Sequence, residues 1–244
     1  MKVLRRSILV GATVVMAGLL ALVVAVHHAY PANSSLPGHP VCLRPPTVTI
    51  PAHPVVAFGD SITWGWTIHD NCLVYAEVEN PDPSVHVTGP RDQTYPEDLS
   101  RLLRQPVLDY GVPGEETSYG LPRLIQVVAR VHPSTVIILE GVNDFRFKVS
   151  PRITFKNLRR MIHAAKTRVI IATLLPTYPP EVNVNRQIHT LNARIRRLHG
   201  VQVVDLAALF AHRRYLIGSD GVHPSLAGNR LIARVFAQAL RHPR

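Results

Sequence analysis

Cysteine, aromatic residues and acidic residues are all scarce in this sequence. Its 244 residues include two cysteines and 6% aromatics, and 16 acidic residues stand against 27 basic ones. The absence of C-x-x-C and H-x-x-x-H patterns excludes the usual metal-ligand spacings, so neither a metal site nor a cofactor is predicted. With few aromatics and no basic run among them, no stacking platform for bases is visible, which argues against nucleic-acid binding. The net charge of +11 instead indicates a solvated surface or attraction to anionic lipid or cell-wall polymer.

The amino-terminal part of the chain differs in composition from the rest. Three basic residues precede residues 7–26, an uncharged and strongly apolar stretch. A helix of this length spans roughly 30 Å, the thickness of a bilayer's hydrocarbon core. Because no small-x-small cleavage site follows, we predict that residues 1–26 are a single-pass anchor in the cell membrane, with the remainder extracytoplasmic. A removed signal peptide, and hence a secreted protein, is the alternative.

Two further regions follow the apolar stretch. Residues 27–53 are rich in proline and predict an exposed linker, and residues 54–244 are long enough for one domain. The two cysteines, Cys42 and Cys72, lie in loop-like sequence. An exported chain with an even cysteine count predicts a disulfide between them, and two unpaired small apolar residues are the alternative.

From residue 54 onward, short apolar runs alternate with amphipathic stretches. The runs are rich in β-branched residues and predict buried parallel strands at 55–58, 107–110, 136–140, 169–175 and 201–205. Apolar residues at helical spacing predict helices at 96–103, 121–131, 155–165, 185–198 and 226–240. This alternation predicts a doubly wound α/β sheet, in which ligands bind beyond the carboxyl ends of the strands.

Polar motifs follow three of these strands. Ser61 lies in GDSIT at a strand-to-helix turn, where it can present its hydroxyl as a nucleophile. The alternative is that the Asp or Ser of this motif only caps the helix. Gly114 lies in GVPGE, a tight turn whose N–H groups can bind a substrate oxygen or serve the turn alone. Asn143 lies in GVND, where its amide can donate to an oxyanion or form an Asx turn.

A fourth motif, DGVHP, lies between the last strand and the last helix. A serine nucleophile needs an imidazole to accept its proton and a carboxylate to orient that imidazole. Asp220 and His223 are three residues apart and can form such a pair locally. Asp205, at the end of the fifth predicted strand, is interpreted as structural and is the next candidate for the carboxylate.

Taken together and in this order, the four blocks resemble those of the SGNH/GDSL hydrolase family. That family is named for the Ser, Gly, Asn and His that correspond here to Ser61, Gly114, Asn143 and His223. The resemblance runs from about residue 54 to the end, and it implies a flavodoxin-like three-layer α/β/α sandwich around a five-stranded parallel sheet. It also implies that Ser61 attacks, His223 is the base and Asp220 orients it. The N–H groups of Ser61 and Gly114 and the Asn143 amide would form the oxyanion hole.

The resemblance implies hydrolysis of a carboxylic ester through an acyl-enzyme. The substrate would be a lipid, a small acyl ester or a sugar O-acetyl group. An acyltransferase on the same site and a non-catalytic binding module of the same fold are the alternatives. Asp109 stands where family members often have Asn and is expected to support the turn. Residues 64–94 are expected to form one wall of an acyl pocket or a plain surface loop, and residues 145–148 to flank its mouth.

Overall fold

The computed structural model describes residues 52–65 and 94–242, and within them it contains a parallel sheet of five strands. The strands are β1 (Val55–Gly59), β2 (Val107–Gly111), β3 (Thr135–Leu139), β4 (Arg168–Ala172) and β5 (Gln202–Val204). Their order is β2-β1-β3-β4-β5, and every pairing is parallel. This is the strand order of flavodoxin-like doubly wound sheets, so the predicted fold class is confirmed.

Helices follow the strands and cover both faces of the sheet. They are α1 (Ser61–Trp64), α2 (Tyr95–Leu103), α3 (Thr117–Val131), α4 (Val142–Arg146), α5 (Pro151–Ala165), α6 (Val182–Ile195), α7 (Leu206–Phe210) and α8 (Leu226–Arg241), with a 3-10 turn at Arg214–Leu216. Helix α2 packs against α8, whereas α3 packs against α5 and α5 against α6. These two groups are the outer layers of a three-layer α/β/α sandwich.

The core lies on both faces of the central strands. Every residue of β1 and β3 is buried, whereas the edge strand β5 is only half-buried. Helices cover each face, so both sets of alternating side chains contact apolar neighbours, and the strands consist of continuous apolar runs. Phe58 and Ile137 in the sheet and Leu124 and Phe236 in the helices are fully buried.

The fourth strand is shorter than predicted. It ends at Ala172, although Leu174 and Leu175 remain buried. The side chain of Asn192, from α6, accepts a hydrogen bond from the Leu174 N–H at 2.8 Å and donates one to the Leu174 carbonyl at 2.9 Å. The backbone of Leu174 therefore pairs with a side-chain amide instead of a neighbouring strand. An apolar run in the sequence does not show with which of the two it pairs.

Helices α3, α5 and α6 begin three or four residues earlier than predicted, and α6 ends at Ile195. Pro122 lies inside α3 with its ring exposed, although a proline is expected in the first turn of a helix. Helices α1, α4 and α7 were not predicted, because four or five residues are too few for a helical period to show.

Several predictions concern residues outside the described part of the chain. These are the membrane anchor at 1–26, the disulfide between Cys42 and Cys72, and nearly all of the linker and of the segment after α1. Within the described residues, none of the helices combines the length and the apolar character needed to cross a bilayer.

Candidate active site

Ser61 is the first residue of α1, directly after the end of β1. The preceding residue, Asp60, caps this helix by accepting a hydrogen bond from the Ile62 N–H at 2.9 Å. Of the two residues that could cap this helix, Asp60 therefore does so and Ser61 does not. The Ser61 hydroxyl lies instead 2.8 Å from the Nε2 atom of His223.

The imidazole of His223 joins the serine to a carboxylate. Its other ring nitrogen, Nδ1, forms a hydrogen bond with an Asp220 carboxylate oxygen, and the two side chains are 14% and 25% exposed. The serine and histidine are separated by 162 positions in the sequence. The fold thus assembles a serine–imidazole–carboxylate chain, the arrangement needed to transfer a proton from the hydroxyl.

Backbone groups hold the Asp220 carboxylate in place. Its Oδ1 atom accepts hydrogen bonds from the Val222 N–H at 3.0 Å and the His223 N–H at 3.1 Å. Burial raises the pKa of Asp220, but the His223 side chain and these two N–H groups oppose that effect, and the net pKa lies below its ordinary value. Asp220 is therefore ionised at neutral pH, as an orienting carboxylate requires.

The turn that carries Asp220 depends on a glycine. Gly221 has φ +77°, and a Cβ atom there would lie 1.6 Å from the Tyr178 carbonyl oxygen. The Tyr178 N–H in turn donates to the Gly221 carbonyl at 2.7 Å. This close approach fixes the turn against the segment that follows β4.

Asp205, the alternative carboxylate, is engaged elsewhere. Its oxygens accept hydrogen bonds from Arg196 at 2.8 and 2.9 Å and from the Thr173 hydroxyl at 2.9 Å. The Arg196 hydrogen bond is the main reason that the pKa of Asp205 is lowered. Asp205 also caps α7, so its role is structural, as the sequence interpretation had favoured.

The residues predicted to form an oxyanion hole follow the strands on either side of β1. Gly114 is exposed in the loop after β2, with φ +77°, and Asn143 lies in the first turn of α4, after β3. The Asn143 amide donates to the Glu115 carbonyl at 3.0 Å, which ties the two segments together. Since β2 and β3 both neighbour β1, Gly114 and Asn143 flank Ser61 at the carboxyl edge of the sheet.

The chain is also similar to known proteins. The family model for GDSL-like lipases and acylhydrolases matches residues 57–231. The chain belongs to this family. Family membership supports hydrolysis of an ester or related acyl bond as its class of activity.

Individual relatives are more distant. An acetylxylan esterase from Xylanibacter ruminicola is 24% identical over 91 residues, which are 35% of this chain and 19% of that protein, so the chain spans only a small part of its relative. Among solved structures, a lipolytic G-D-S-L protein from Veillonella parvula has a TM-score of 0.61 at 19% identity, covering 78% of this chain and 97% of that one. A lipase/acylhydrolase from Enterococcus faecalis has a TM-score of 0.60 at 22% identity, covering 79% and 98%. These two structures share the fold.

The residue after Asn143 anchors the helices around this GDSL site. The Asp144 carboxylate accepts hydrogen bonds from the Thr117 N–H at 2.9 Å and from the hydroxyls of Thr117 at 2.6 Å and Thr154 at 2.9 Å. Thr117 and Thr154 begin or nearly begin α3 and α5. Asp144 therefore joins the amino termini of three helices.

Asp109 and residues 145–148 are two further places near the site for which the sequence makes a prediction. The Asp109 carboxylate accepts a hydrogen bond from the Gly111 N–H at 2.8 Å, which confirms that it supports the turn after β2. In the segment 145–148, Phe145 is buried in the core, and only Phe147, 62% exposed, is left as an aromatic surface near Asn143.

A buried polar cluster beneath the site was missed by the sequence analysis. Arg123 pairs with Glu115, and Glu140 lies nearby with neither of its oxygens hydrogen-bonded within the described residues. Burial and then the Glu115 charge raise the pKa of Glu140 well above its ordinary value. Burial likewise raises the pKa of Asp60 to about 7. A signal for Arg123 was present, since it shares one helical face with Gly120 and Val127, both of which are buried.

Proposed function

We propose that this chain is a serine esterase that cleaves a carboxylic ester through an acyl-enzyme. The observation that carries the proposal is the hydrogen-bonded chain from Ser61 through His223 to Asp220. In the first half-reaction, the Ser61 oxygen bonds to the acyl carbon while its proton passes to Nε2 of His223. The imidazolium then gives that proton to the departing alcohol oxygen as the ester C–O bond breaks.

The second half-reaction repeats these steps with water. Nε2 of His223 takes a proton from a water molecule, whose oxygen bonds to the acyl carbon. Ser61 leaves with that proton, and the carboxylic acid is released. In both halves the ionised Asp220 holds the Nδ1–H of the imidazole and stabilises its positive charge. The low pKa of Asp220 supports this role.

Negative charge develops on the former carbonyl oxygen in both halves. We assign its stabilisation to the N–H groups of Ser61 and Gly114 and to the Asn143 amide. The position of Ser61 supports this assignment, because it is the first residue of a helix and the N–H groups there have no partner within the helix. Donors aimed at a developing oxyanion are each worth about 10²–10³ in rate.

The proposed substrate is a lipid, a small acyl ester or a sugar O-acetyl group. The partial similarity to an acetylxylan esterase supports including acetylated polysaccharide in the tests. Hydrolysis of p-nitrophenyl esters from acetyl to palmitoyl, together with acetylated xylan and a phospholipid, distinguishes the three. A rate that falls steeply beyond butyryl favours small acyl groups, whereas a rate that rises with length favours lipid.

The nucleophile is tested by substitution and labelling. We expect a fluorophosphonate probe to label the wild-type chain at Ser61, and Ser61→Ala to lower kcat by about 10⁴-fold or more because the attacking oxygen is gone. Ser118→Ala is the matched control, since Ser118 is exposed on α3. Labelling that persists in Ser61→Ala would refute the assignment.

We also propose that the domain acts outside the cytoplasm, tethered to the cell membrane by residues 1–26. The support is the basic, then apolar, composition of that segment. The full chain should remain in the pellet after carbonate extraction and keep its amino terminus by intact mass. A soluble product that begins after residue 26 would identify a cleaved signal peptide instead.

A further inference from the structure

The side chain of Arg123 reaches three segments that carry the proposed site. Its guanidinium donates to the carboxylate of Glu115, to the Tyr110 carbonyl at 3.0 Å and to the Gly59 carbonyl at 3.3 Å. Tyr110 and Gly59 lie at the carboxyl ends of the neighbouring strands β2 and β1. A single side chain from α3 therefore joins both strand ends to the loop after β2.

The position of this guanidinium is closely defined. Its central carbon lies 4.0 Å from the centre of the buried Phe58 ring, in a cation–π contact. The Arg123 side chain is 19% exposed and that of Glu115 only 6%. An ion pair removed from water on this scale persists only when its geometry satisfies both partners, and the planar fork of arginine does so here.

The segments held by Arg123 lie close in sequence to two of the proposed oxyanion donors and contact the third. Gly59 is two residues before Ser61, and Gly114 immediately precedes Glu115. The Glu115 carbonyl accepts the hydrogen bond from the Asn143 amide. The three donors therefore share a single anchor, although they come from three different strand ends.

We propose that Arg123, acting through Glu115 and Gly59, is the positioning residue of the oxyanion hole. The inference rests on the proposed esterase function and adds to it a residue that does not touch substrate. The donors stabilise charge that exists only in the transition state, so an error in their placement raises the barrier without weakening ground-state binding. Loss of Arg123 should therefore lower kcat and leave KM nearly unchanged, whereas a residue important only for folding would alter the amount of active protein.

Arg123→Lys is the decisive variant because it keeps the charge and removes the fork. A lysine ammonium cannot donate to Glu115, Tyr110 and Gly59 in the same planar arrangement. We expect kcat to fall about 10- to 100-fold, with KM within about threefold of wild type. Affinity for a boronic acid that forms a tetrahedral adduct should fall in parallel with kcat/KM. Arg130→Lys, the same substitution at the exposed far end of α3, should change none of these values.

Glu115→Gln provides a second route if Arg123→Lys does not fold. It leaves the backbone carbonyl that accepts from Asn143 and removes only the carboxylate that holds Arg123. We expect it to lower kcat in the same way by a smaller factor. Amide hydrogen exchange over residues 111–117 should be faster in either variant, since the loop loses its anchor.

Two results would overturn the inference. One is unchanged kinetics in a folded Arg123→Lys variant, and the other is a raised KM at unchanged kcat, which would indicate ordinary substrate binding. Failure of the esterase proposal is distinguishable, because the wild-type chain would then hydrolyse no ester and Ser61 would not be labelled. In that case the exchange rate over residues 111–117 still decides whether Arg123 positions this loop, and an unchanged rate refutes it.

Discussion

Replacing Asp220 with asparagine would test the catalytic arrangement by exchanging a single carboxylate oxygen for an NH₂ group. In the folded chain, Oδ1 of Asp220 accepts hydrogen bonds from two backbone N–H groups, and Oδ2 forms a hydrogen bond with Nδ1 of His223. In Asp220→Asn, the side-chain oxygen must stay with the backbone donors, which places the new NH₂ group against Nδ1. That nitrogen then has to accept a hydrogen bond, so the ring proton moves to Nε2.

The consequence follows from the tautomer. An Nε2 atom that carries a proton cannot accept one from Ser61, although the distance between the two residues is unchanged. The equivalent substitution in serine proteases lowers kcat by about 10⁴-fold, and we expect a loss of about 10³- to 10⁴-fold here. At about 1.36 kcal/mol for each factor of ten, this corresponds to roughly 4–5.5 kcal/mol of lost transition-state stabilisation.

The assay is steady-state hydrolysis of a p-nitrophenyl ester at pH 7.5, with the rate of fluorophosphonate labelling measured in parallel. Asp205→Asn is the matched control, because it changes a carboxylate that pairs with Arg196 and caps α7. Its kcat/KM should remain within about twofold of wild type. A folded Asp220→Asn variant that keeps more than a tenth of wild-type kcat/KM would refute the tautomer argument.

The remaining predictions concern stability. Because burial raises the pKa of Asp60 to about 7 from 3.8 in the unfolded chain, the folded state keeps a proton that the unfolded state loses, and stability falls as pH rises between these values. The free energy of unfolding of Asp60→Asn, taken relative to that of wild type, should therefore rise by up to about 3 kcal/mol from pH 4.5 to pH 7.5. Urea titrations at the two pH values measure this difference, and a difference that stays constant would contradict the prediction. Asn192→Ala leaves the N–H and carbonyl groups of Leu174 buried and unpaired, so it should lower the free energy of unfolding by about 2–4 kcal/mol in the same assay. Asn183 is exposed on the same helix, and Asn183→Ala should lower it little.

Local chemistry made much of the fold and part of the site predictable. The strands β1 and β3 are short, continuous and apolar because both faces are covered, and the helices between them show their buried face in their spacing. Asp220 and His223 are three residues apart, so a single turn brings them together. The order of the four motifs along the chain then placed Ser61, Gly114 and Asn143 at the same edge of the sheet.

What the tertiary structure decided depends on contacts between distant segments. Ser61 and His223 are 162 positions apart in the sequence, and only the folding of the sheet brings them together. The choice between Asp220 and Asp205 as the orienting carboxylate depends on which of them Arg196 binds. Arg123 on a helix face and Asn192 beside Leu174 carry no motif. Their roles arise because polar groups buried by folding must find partners across the structure, and sequence spacing does not determine which partners lie within reach.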